Sequence, residues 1–245
     1  MMLLGLSVYT DSLDAWWSLD DMKEEIFMEF LEAVDKKEFE TAKELVLDEN
    51  NFFEDADVEY EQSAAINQIE LRELVLNDPI VEKIDINKYE FVWENDYVRS
   101  NSRIGSYSTI HYLRQFAHEL GLLYKKQGID ILKDPKGYKL TKNEVRKILD
   151  ISAKKHTAYA DSNDDIFDNL NNHSDCEDYY LPTQNRISFE YGSSLGLYKE
   201  LDALYETGAI DFFEELDANF YKEIWMKLMD VAISSLDENS VIVFA

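Results

Sequence analysis

Hydrophobic residues recur at helical spacing along much of the chain. The clearest case lies within 106–126, where five apolar positions follow a 3-4-3-4 spacing and predict a helix that faces the core: Ile110, Leu113, Ala117, Leu120 and Tyr124. A repeat of every four residues predicts another helix over 20–36: Met22, Ile26, Phe30 and Val34. Further patterns predict helices at 38–47, around 65–75, from Thr141 onward, at 194–206 and along one long stretch from Phe213 to Leu228.

Shorter apolar runs predict strands at both ends of the chain. They lie at 3–9, 89–93, 186–191 and 240–245, and the polar segments 50–61 and 161–185 are interpreted as loops. Because helices fill the space between terminal strands without regular strand–helix alternation, we expect an α+β fold with a small mixed or antiparallel sheet. Thr141 with Glu144 three residues later predicts a capping box at the start of one helix.

Length and composition favour a single domain over residues 1–245. Only three prolines and eight glycines occur, which leaves little material for a linker. The single cysteine, Cys176, excludes an internal disulfide and is typical of a reducing compartment. No apolar run reaches the length of a membrane span, and the first residues lack the basic start of a signal peptide. The sequence therefore predicts a cytoplasmic protein without membrane contact.

Charge is unevenly distributed along the chain, whose net charge is −27. Counting Asp and Glu against Lys and Arg gives −17 for residues 1–78, −3 for 79–98, +8 for 99–160 and −15 for 161–245. An acidic surface repels nucleic acid and anionic lipid, and it speeds encounter with basic proteins. The acidic parts, 1–98 and 161–245, could also serve solubility alone. The basic helical part, 99–160, could neutralise its flanks or bind an anion.

One polar constellation surrounds the start of the strongest predicted helix. A helix start offers unpaired N–H groups and the positive end of the helix dipole, which suit a phosphate or carboxylate. Candidate ligand contacts there are Arg103, Ser106, Tyr107, His111 and Arg114. The alternative is that a serine only caps the helix while the polar side faces water.

A second constellation lies in the predicted loop 161–185. His173, Asp175 and Glu177 surround Cys176 and are further candidates for ligand contact. One cysteine falls short of a structural zinc site, and the neighbouring carboxylates should raise the pKa of its thiol, so neither a metal nor cysteine catalysis is expected. The sequence also lacks the common phosphate-loop, zinc-protease and hydrolase motifs, so no catalytic residue and no cofactor are assigned.

Three short segments carry a family resemblance. Gly105-Ser-Tyr-Ser with Arg114, His173-Ser-Asp-Cys-Glu, and Val241-Ile-Val-Phe resemble a loose set of uncharacterised bacterial and phage proteins that share Gly-Ser-Tyr and Ser-Asp-Cys segments. The resemblance covers about the last 60% of the chain. It implies no activity, but it implies that the two polar constellations come together in space.

The favoured function is a non-catalytic inhibitor that captures a basic protein, as toxin-immunity and phage counter-defence proteins do. Candidate partner contacts lie in the first third of the chain: Trp16, Trp17, Asp20, Asp21, Glu24, Glu25, Asp55 and Asp57. The two tryptophans could equally belong to the core. The alternative is a pocket or hydrolase for a phosphorylated or carboxylated ligand, built from the two constellations. A third option is a DNA mimic, which needs regularly spaced exposed acids, and the basic segment 99–160 argues against mimicry across the whole surface.

Overall fold

The computed structural model describes residues 6–13, 19–54, 56–84, 88–89, 101–105, 107–155, 167–170, 178–188 and 191–244. Its strands are β1 (Leu6–Ser12), β2 (Asn101–Gly105), β3 (Asp178–Leu181), β4 (Tyr191–Ser193) and β5 (Ser240–Phe244). Its helices are α1 (Glu24–Asp35), α2 (Phe39–Leu47), α3 (Val58–Asn77), α4 (Tyr107–Lys126), α5 (Lys142–Lys155), α6 (Ser194–Glu206), α7 (Asp211–Glu215) and α8 (Asn219–Glu238). The predicted α+β class is confirmed.

Residue contacts divide the chain into two compact units. Residues 12–79 form one, here called the acidic helical unit, and residues 1–11 with 80–245 form the other, here called the sheet unit. Each unit has its own hydrophobic core. That the two fold together as one domain stays a prediction.

The sheet unit is built on a five-stranded sheet in the order β2-β1-β5-β3-β4. β1 and β2 are antiparallel, β3 and β5 are antiparallel, and β3 and β4 are parallel, so the sheet is mixed. Helix α4 packs against α5, and α6 packs against α8. The predicted apolar stripe of α4 is buried throughout, because its 3-4-3-4 spacing keeps these side chains on one side of the helix.

The acidic helical unit contains α1, α2 and α3, with a short 3-10 helix at Glu49–Asn51. α2 packs against both α1 and α3. Phe30 and Val34 of α1 and Val46 of α2 are buried with Ala65 and Ile69 of α3. This narrow apolar interior occupies one side of each helix and leaves the opposite sides to polar residues.

Local signals at the helix ends decide several boundaries. The predicted capping box of α5 is confirmed, since the Thr141 N–H donates to Glu144 Oε2 at 2.9 Å and the Glu144 N–H donates to Thr141 Oγ1 at 3.4 Å. The predicted long helix from Phe213 to Leu228 is wrong. Asp217 adopts a left-handed backbone with φ of 57° and separates α7 from α8.

Two predicted loops and one predicted strand are also corrected. Helix α3 begins at Val58, inside the predicted loop 50–61, and strand β3 lies inside the predicted loop 161–185. The strand predicted at 186–191 is displaced to β4 at Tyr191–Ser193. Of the strand predicted at 89–93, Tyr89 is described and buried, whereas 90–93 lie outside the described residues. No helix within the described part of the chain is long and apolar enough to cross a membrane.

Candidate partner-binding surface

Most of the net charge lies in the acidic helical unit. Residues 12–79 contain 21 Asp and Glu against five Lys and Arg, a net charge of −16, whereas the other 177 residues contain 30 against 19, a net charge of −11. The charge per residue is therefore roughly four times as high in the acidic helical unit. Net negative charge is thus denser in this unit than in the sheet unit, which suits a surface that captures a basic partner.

Nearly all of these carboxylates face solvent. Of the 19 described Asp and Glu of the acidic helical unit, 16 are exposed. The exposed ones are Asp20, Asp21, Glu24, Glu25, Glu29, Glu32, Asp35, Glu38, Glu40, Glu44, Asp48, Glu49, Glu54, Asp57, Glu59 and Glu70. Their negative charge is available for long-range attraction and direct contact.

The mean axial spacing of the charges on the outer side of α1 is close to that of a DNA strand. Its 12 residues span about 18 Å and carry five exposed carboxylates, one for about every 3.6 Å of helix length: Glu24, Glu25, Glu29, Glu32 and Asp35. A single DNA strand carries one phosphate charge for about every 3.4 Å of axis. Successive carboxylates are separated by about 1.5 to 6 Å along the axis, so the likeness to a DNA strand is in mean charge per length.

A second acidic stretch runs from α2 to the start of α3 and is here called the 38–60 segment. Glu40 and Glu44 lie one helical turn apart on the outer side of α2. The chain then continues through further exposed acids at the 3-10 helix and before α3: Asp48, Glu49, Glu54, Asp57 and Glu59. Its one basic residue is Lys43.

Three lysines of this unit make local contacts. Lys36 Nζ lies 2.6 Å from Glu32 Oε1, and its hydrogen bond lowers the pKa of the Glu32 carboxyl. Lys43 Nζ lies 2.9 Å from Glu73 Oε2. The Lys23 ammonium donates to the carbonyl of Asn50. These contacts leave a large excess of carboxylates, so the surface stays strongly negative.

Among the described carboxylates of the acidic helical unit, Glu61 is the one that is buried. Its side chain is only 6% exposed, and its Oε2 atom is buried without a hydrogen-bond partner. Burial raises the pKa of the Glu61 carboxyl, and the nearby carboxylates of Asp21 and Asp20 raise it further. This residue therefore belongs to the interior of the unit and not to its charged surface.

Glu200 of the sheet unit is a buried carboxylate that accepts several hydrogen bonds. Glu200 is 4% exposed, and it accepts hydrogen bonds from the Asn169 N–H at 2.9 Å, the Asn169 side-chain amide at 3.1 Å and the Leu170 N–H at 2.7 Å. Asn169 in turn accepts from the Ser193 N–H at 2.8 Å and, through its carbonyl, from the Tyr180 hydroxyl at 2.6 Å. The network joins residues 167–170 to α6, β3 and β4.

Part of the basic segment 99–160 is neutralised within the sheet unit. Lys136 forms an ion pair with Glu206, and Lys142 Nζ lies 2.7 Å from Glu215 Oε2. Glu206 also pairs with Lys88. These pairs support the interpretation that the segment offsets the acidic C-terminal part, as one of the two sequence alternatives proposed.

Comparison with known proteins adds one positive finding. Residues 35–244 match the model of a family described as "Putative DNA-mimic protein". The match spans 210 of the 245 residues. The chain belongs to this family. A search among curated proteins found no match, and neither did a search among solved structures.

Membership of the DNA-mimic family corrects one step of the sequence argument. The basic segment 99–160 argued against mimicry over the whole surface, but mimicry needs only one surface, and the exposed carboxylates are concentrated in residues 12–79. The family description points to a binding role. The match begins at the last residue of α1, so it includes the whole 38–60 segment.

The predicted ligand residues are only partly described in this member of the family. Arg103 lies in β2, and Tyr107 is the first residue of α4. His111 is half-buried, and Arg114 is 8% exposed, so Arg114 does not lie on a water-facing side of the helix. Ser106, His173, Asp175 and Glu177 lie outside the described residues.

No finding tests whether the two polar constellations meet, so this stays a prediction, as does the resemblance carried by the Gly-Ser-Tyr and Ser-Asp-Cys segments. Among the described residues, no group of three or more His, Cys, Asp and Glu is arranged to hold a metal ion.

The predicted partner residues fall in the acidic helical unit. Five of them are exposed there: Asp20, Asp21, Glu24, Glu25 and Asp57. Trp16, Trp17 and Asp55 lie outside the described residues. A role of these residues in binding stays a prediction.

Sequence reasoning missed two features. The first is a set of exposed apolar side chains within the acidic surface: Met28, Leu47, Phe53 and Tyr60. The second is the buried Glu200 network. Glu200 is one of 51 acidic residues, and no local pattern distinguishes it. For Phe53, a signal was available in retrospect, since two adjacent phenylalanines in an extended segment point to opposite sides.

Proposed function

We propose that this protein is a non-catalytic DNA mimic whose acidic helical unit occupies the DNA-binding surface of a basic partner protein. The partner would be a DNA-binding protein, and its release from DNA would be the functional result. The proposal joins the family match to the charge distribution of this chain.

The exposure of 16 of the 19 described carboxylates in residues 12–79 carries the proposal. Exposed carboxylates cost little to maintain in water, whereas their mutual repulsion works against a compact fold. In a unit of 68 residues with a net charge of −16, this repulsion lowers the stability of the fold, and the same charge favours association with a basic partner. Encounter with a basic groove is accelerated because the attraction acts over about 8 Å at physiological ionic strength.

The mean charge density on α1 supports a partner that binds a DNA-like surface over an unspecific cation. Five carboxylates along about 18 Å of one helix give one charge for about every 3.6 Å on average, close to the mean for a DNA strand, one phosphate for about every 3.4 Å. Direct interaction with DNA is not expected, because both surfaces are negative. This supports a partner that normally contacts the phosphate backbone.

Inhibition of a harmful or defensive DNA-binding protein is the finer form of this proposal. A toxin-immunity or phage counter-defence role fits fast capture of a basic target in the cytoplasm, since electrostatic steering raises association rates. The same charge that drives capture makes binding sensitive to salt.

The test is capture followed by competition. The tagged protein is incubated with extract of the source cell at low salt, and bound proteins are identified by mass spectrometry. The purified partner is then tested for release of fluorescein-labelled DNA, measured by fluorescence anisotropy. We expect the captured protein to be a basic DNA-binding protein. We also expect the tagged protein to release DNA from it stoichiometrically.

A matched pair of variants makes the test specific. One variant neutralises α1 through Glu24→Gln, Glu25→Gln, Glu29→Gln and Asp35→Asn. The control neutralises exposed acids of the sheet unit through Glu214→Gln, Glu223→Gln, Glu238→Gln and Asp150→Asn, which makes the same change in net charge. Enrichment of a partner that binds DNA and this protein at the same time would contradict the proposal.

A further inference from the structure

Large apolar side chains project from the 38–60 segment between its carboxylates. Leu47 is 59% exposed, Phe53 is 51% exposed and Tyr60 is 67% exposed. They occur at intervals of six and seven residues. Exposed acids lie beside each of them in sequence: Glu44, Asp48, Glu49, Glu54, Asp57 and Glu59. The segment thus alternates negative charge with apolar surface.

The outward direction of Phe53 is set by the fold. Its neighbour Phe52 is buried, has an extended backbone with φ of −106° and ψ of 165°, and pairs with Met22 in an isolated β-bridge. The Phe53 N–H donates to the Asp21 carbonyl at 3.0 Å. Adjacent side chains of an extended segment point to opposite sides, so burial of Phe52 turns the Phe53 ring to solvent.

Tyr60 is also turned outward by its position in a helix. It lies in the first turn of α3, where the buried row of that helix begins with Glu61 and continues through Ala65 and Ile69. Because Tyr60 precedes that row by one residue, it lies about 100° around the helix from it. The outward direction of both aromatic residues therefore follows from the burial of their sequence neighbours, Phe52 and Glu61.

The single cation in the segment does not cancel its charge. Lys43 Nζ lies 2.9 Å from Glu73 Oε2 and 3.5 Å from Glu40 Oε1. Its positive charge is therefore shared between two carboxylates, and one of these lies outside the segment. The surface around Leu47, Phe53 and Tyr60 remains negative.

Exposed ring faces beside negative charges correspond to single-stranded and not to duplex nucleic acid. In a duplex the bases are stacked, and only their edges are accessible in the grooves. In a single strand the base faces are free. Single-strand-binding proteins use aromatic platforms within a basic groove, and each stacked base contributes about 1–3 kcal/mol.

We infer that the 38–60 segment imitates a single strand with unpaired bases, and that the partner is a single-strand-binding protein with aromatic platforms in a basic groove. This inference rests on the proposed function. In it, the carboxylates take the place of phosphates, while Phe53 and Tyr60 take the place of bases. Charge complementarity and apolar contact then act together on one surface.

The test uses two purified probes. The first is an OB-fold single-strand-binding protein with a fluorescein-labelled thymidine 30-mer, and the second is an HU-type architectural protein with a labelled 30-base-pair duplex. Release of each DNA by the full-length protein is followed by fluorescence anisotropy at several salt concentrations. We expect release of the single strand at a concentration at least about tenfold lower than release of the duplex.

Variants separate the apolar from the electrostatic contribution. Phe53→Ser with Tyr60→Ser should weaken release of the single strand by about tenfold or more, which corresponds to at least one stacked base, and should leave the salt dependence unchanged. The matched control is Leu132→Ser, which removes a side chain of 45% exposure in the sheet unit and should change release by less than about twofold. Thermal unfolding of each variant confirms that it is folded.

Three results would overturn the inference. They are release of the duplex alone, release of neither DNA, and release of the single strand by the double variant at the same concentration as by wild type. Release of the duplex alone would leave the proposed DNA mimicry in place and remove only the single-strand assignment. Release of neither DNA would also remove the single-strand assignment. The proposed DNA mimicry is tested separately, by capture of a partner from extract of the source cell.

Discussion

The acidic helical unit and the sheet unit differ in how some of their carboxylates are surrounded. Those of residues 12–79 are mostly exposed, at high density and with few cations nearby. Several in the sheet unit are buried or paired: Glu200 accepts three N–H groups, and Glu206 is shared by Lys88 and Lys136. Some carboxylates of the sheet unit thus stabilise its fold, whereas most of those described in residues 12–79 face solvent and are available for association.

The comparison shows that net charge is a poor guide to function until burial is known. A buried carboxylate with satisfied hydrogen bonds specifies a local structure, and its removal leaves donors unsatisfied. An exposed carboxylate contributes little to stability and much to the field around the protein. Substitutions should therefore separate stability from binding according to the unit in which they are made.

The largest expected effect on stability is at Glu200. Glu200→Ala leaves the N–H groups of Asn169 and Leu170 without their acceptor in a buried site, and we expect a loss of about 3 kcal/mol in the free energy of unfolding. Urea denaturation followed by circular dichroism measures it. The control Glu223→Ala, at an exposed position of α8, should cost less than about 0.5 kcal/mol. Equal losses in the two variants would show that the network does not stabilise the sheet unit.

The second effect is a pH dependence from the same residue. Burial raises the pKa of the Glu200 carboxyl to about 7 from its ordinary value of 4.5, while the N–H groups of Asn169 and Leu170 act to lower it. Between these values the folded state holds a proton that the unfolded state has lost, so the contribution of Glu200 to stability falls as pH rises.

The comparison of wild type with Glu200→Gln isolates that contribution, because other titrating groups are common to both. We expect the stability of wild type relative to the variant to decrease by roughly 1–3 kcal/mol between pH 4.5 and pH 7.5. Denaturation at several pH values measures the difference. A difference that is constant or increases with pH would contradict the assignment.

A third effect concerns the one buried carboxyl of the acidic helical unit that the structure describes. Glu61→Gln removes a charge that lies close to the carboxylates of Asp21 and Asp20 and places an amide where Oε2 has no partner. We expect an increase of about 1 kcal/mol in the free energy of unfolding at pH 7. Thermal and urea denaturation measure it. A loss of stability would show that ionised Glu61 is satisfied in the fold.

Sequence patterning predicted those elements whose signal is local. Helix α6 was predicted at 194–206 and is found at Ser194–Glu206, and the capping box of α5 is present. The division between α7 and α8 was not predictable from apolar spacing, because one left-handed residue, Asp217, interrupts a pattern that otherwise continues. Strand β3 was missed since it is short and one of its pairing partners, β5, is distant in sequence.

The candidate surface was predictable in charge but not in detail. Counts of acids and bases located the excess charge in two stretches, the first third of the chain and residues 161–245. They could not distinguish the buried Glu61 from the exposed Glu59, or the buried Phe52 from the exposed Phe53. Those distinctions depend on the packing of α1, α2 and α3 around their shared core, which no single stretch of sequence contains.

The smallest expected effect on stability comes from the α1 variant with Glu24→Gln, Glu25→Gln, Glu29→Gln and Asp35→Asn. These side chains are exposed, so their neutralisation should change the free energy of unfolding by less than about 0.5 kcal/mol, or increase it slightly through reduced repulsion. Urea denaturation measures it. A large loss would show that the α1 carboxylates stabilise the acidic helical unit itself.

Competition for the DNA site of the captured partner tests the central claim most directly. The concentration of protein that releases half of the labelled DNA is measured at low salt for wild type, the α1 variant and the sheet-unit control. We predict that this concentration is at least about 30-fold higher for the α1 variant than for wild type, since four contacts at about 0.5 kcal/mol each are lost. For the control, it should stay within about threefold of wild type. Equal weakening of the two variants would show that only the net charge of the molecule matters and would contradict a DNA-mimicking surface on residues 12–79.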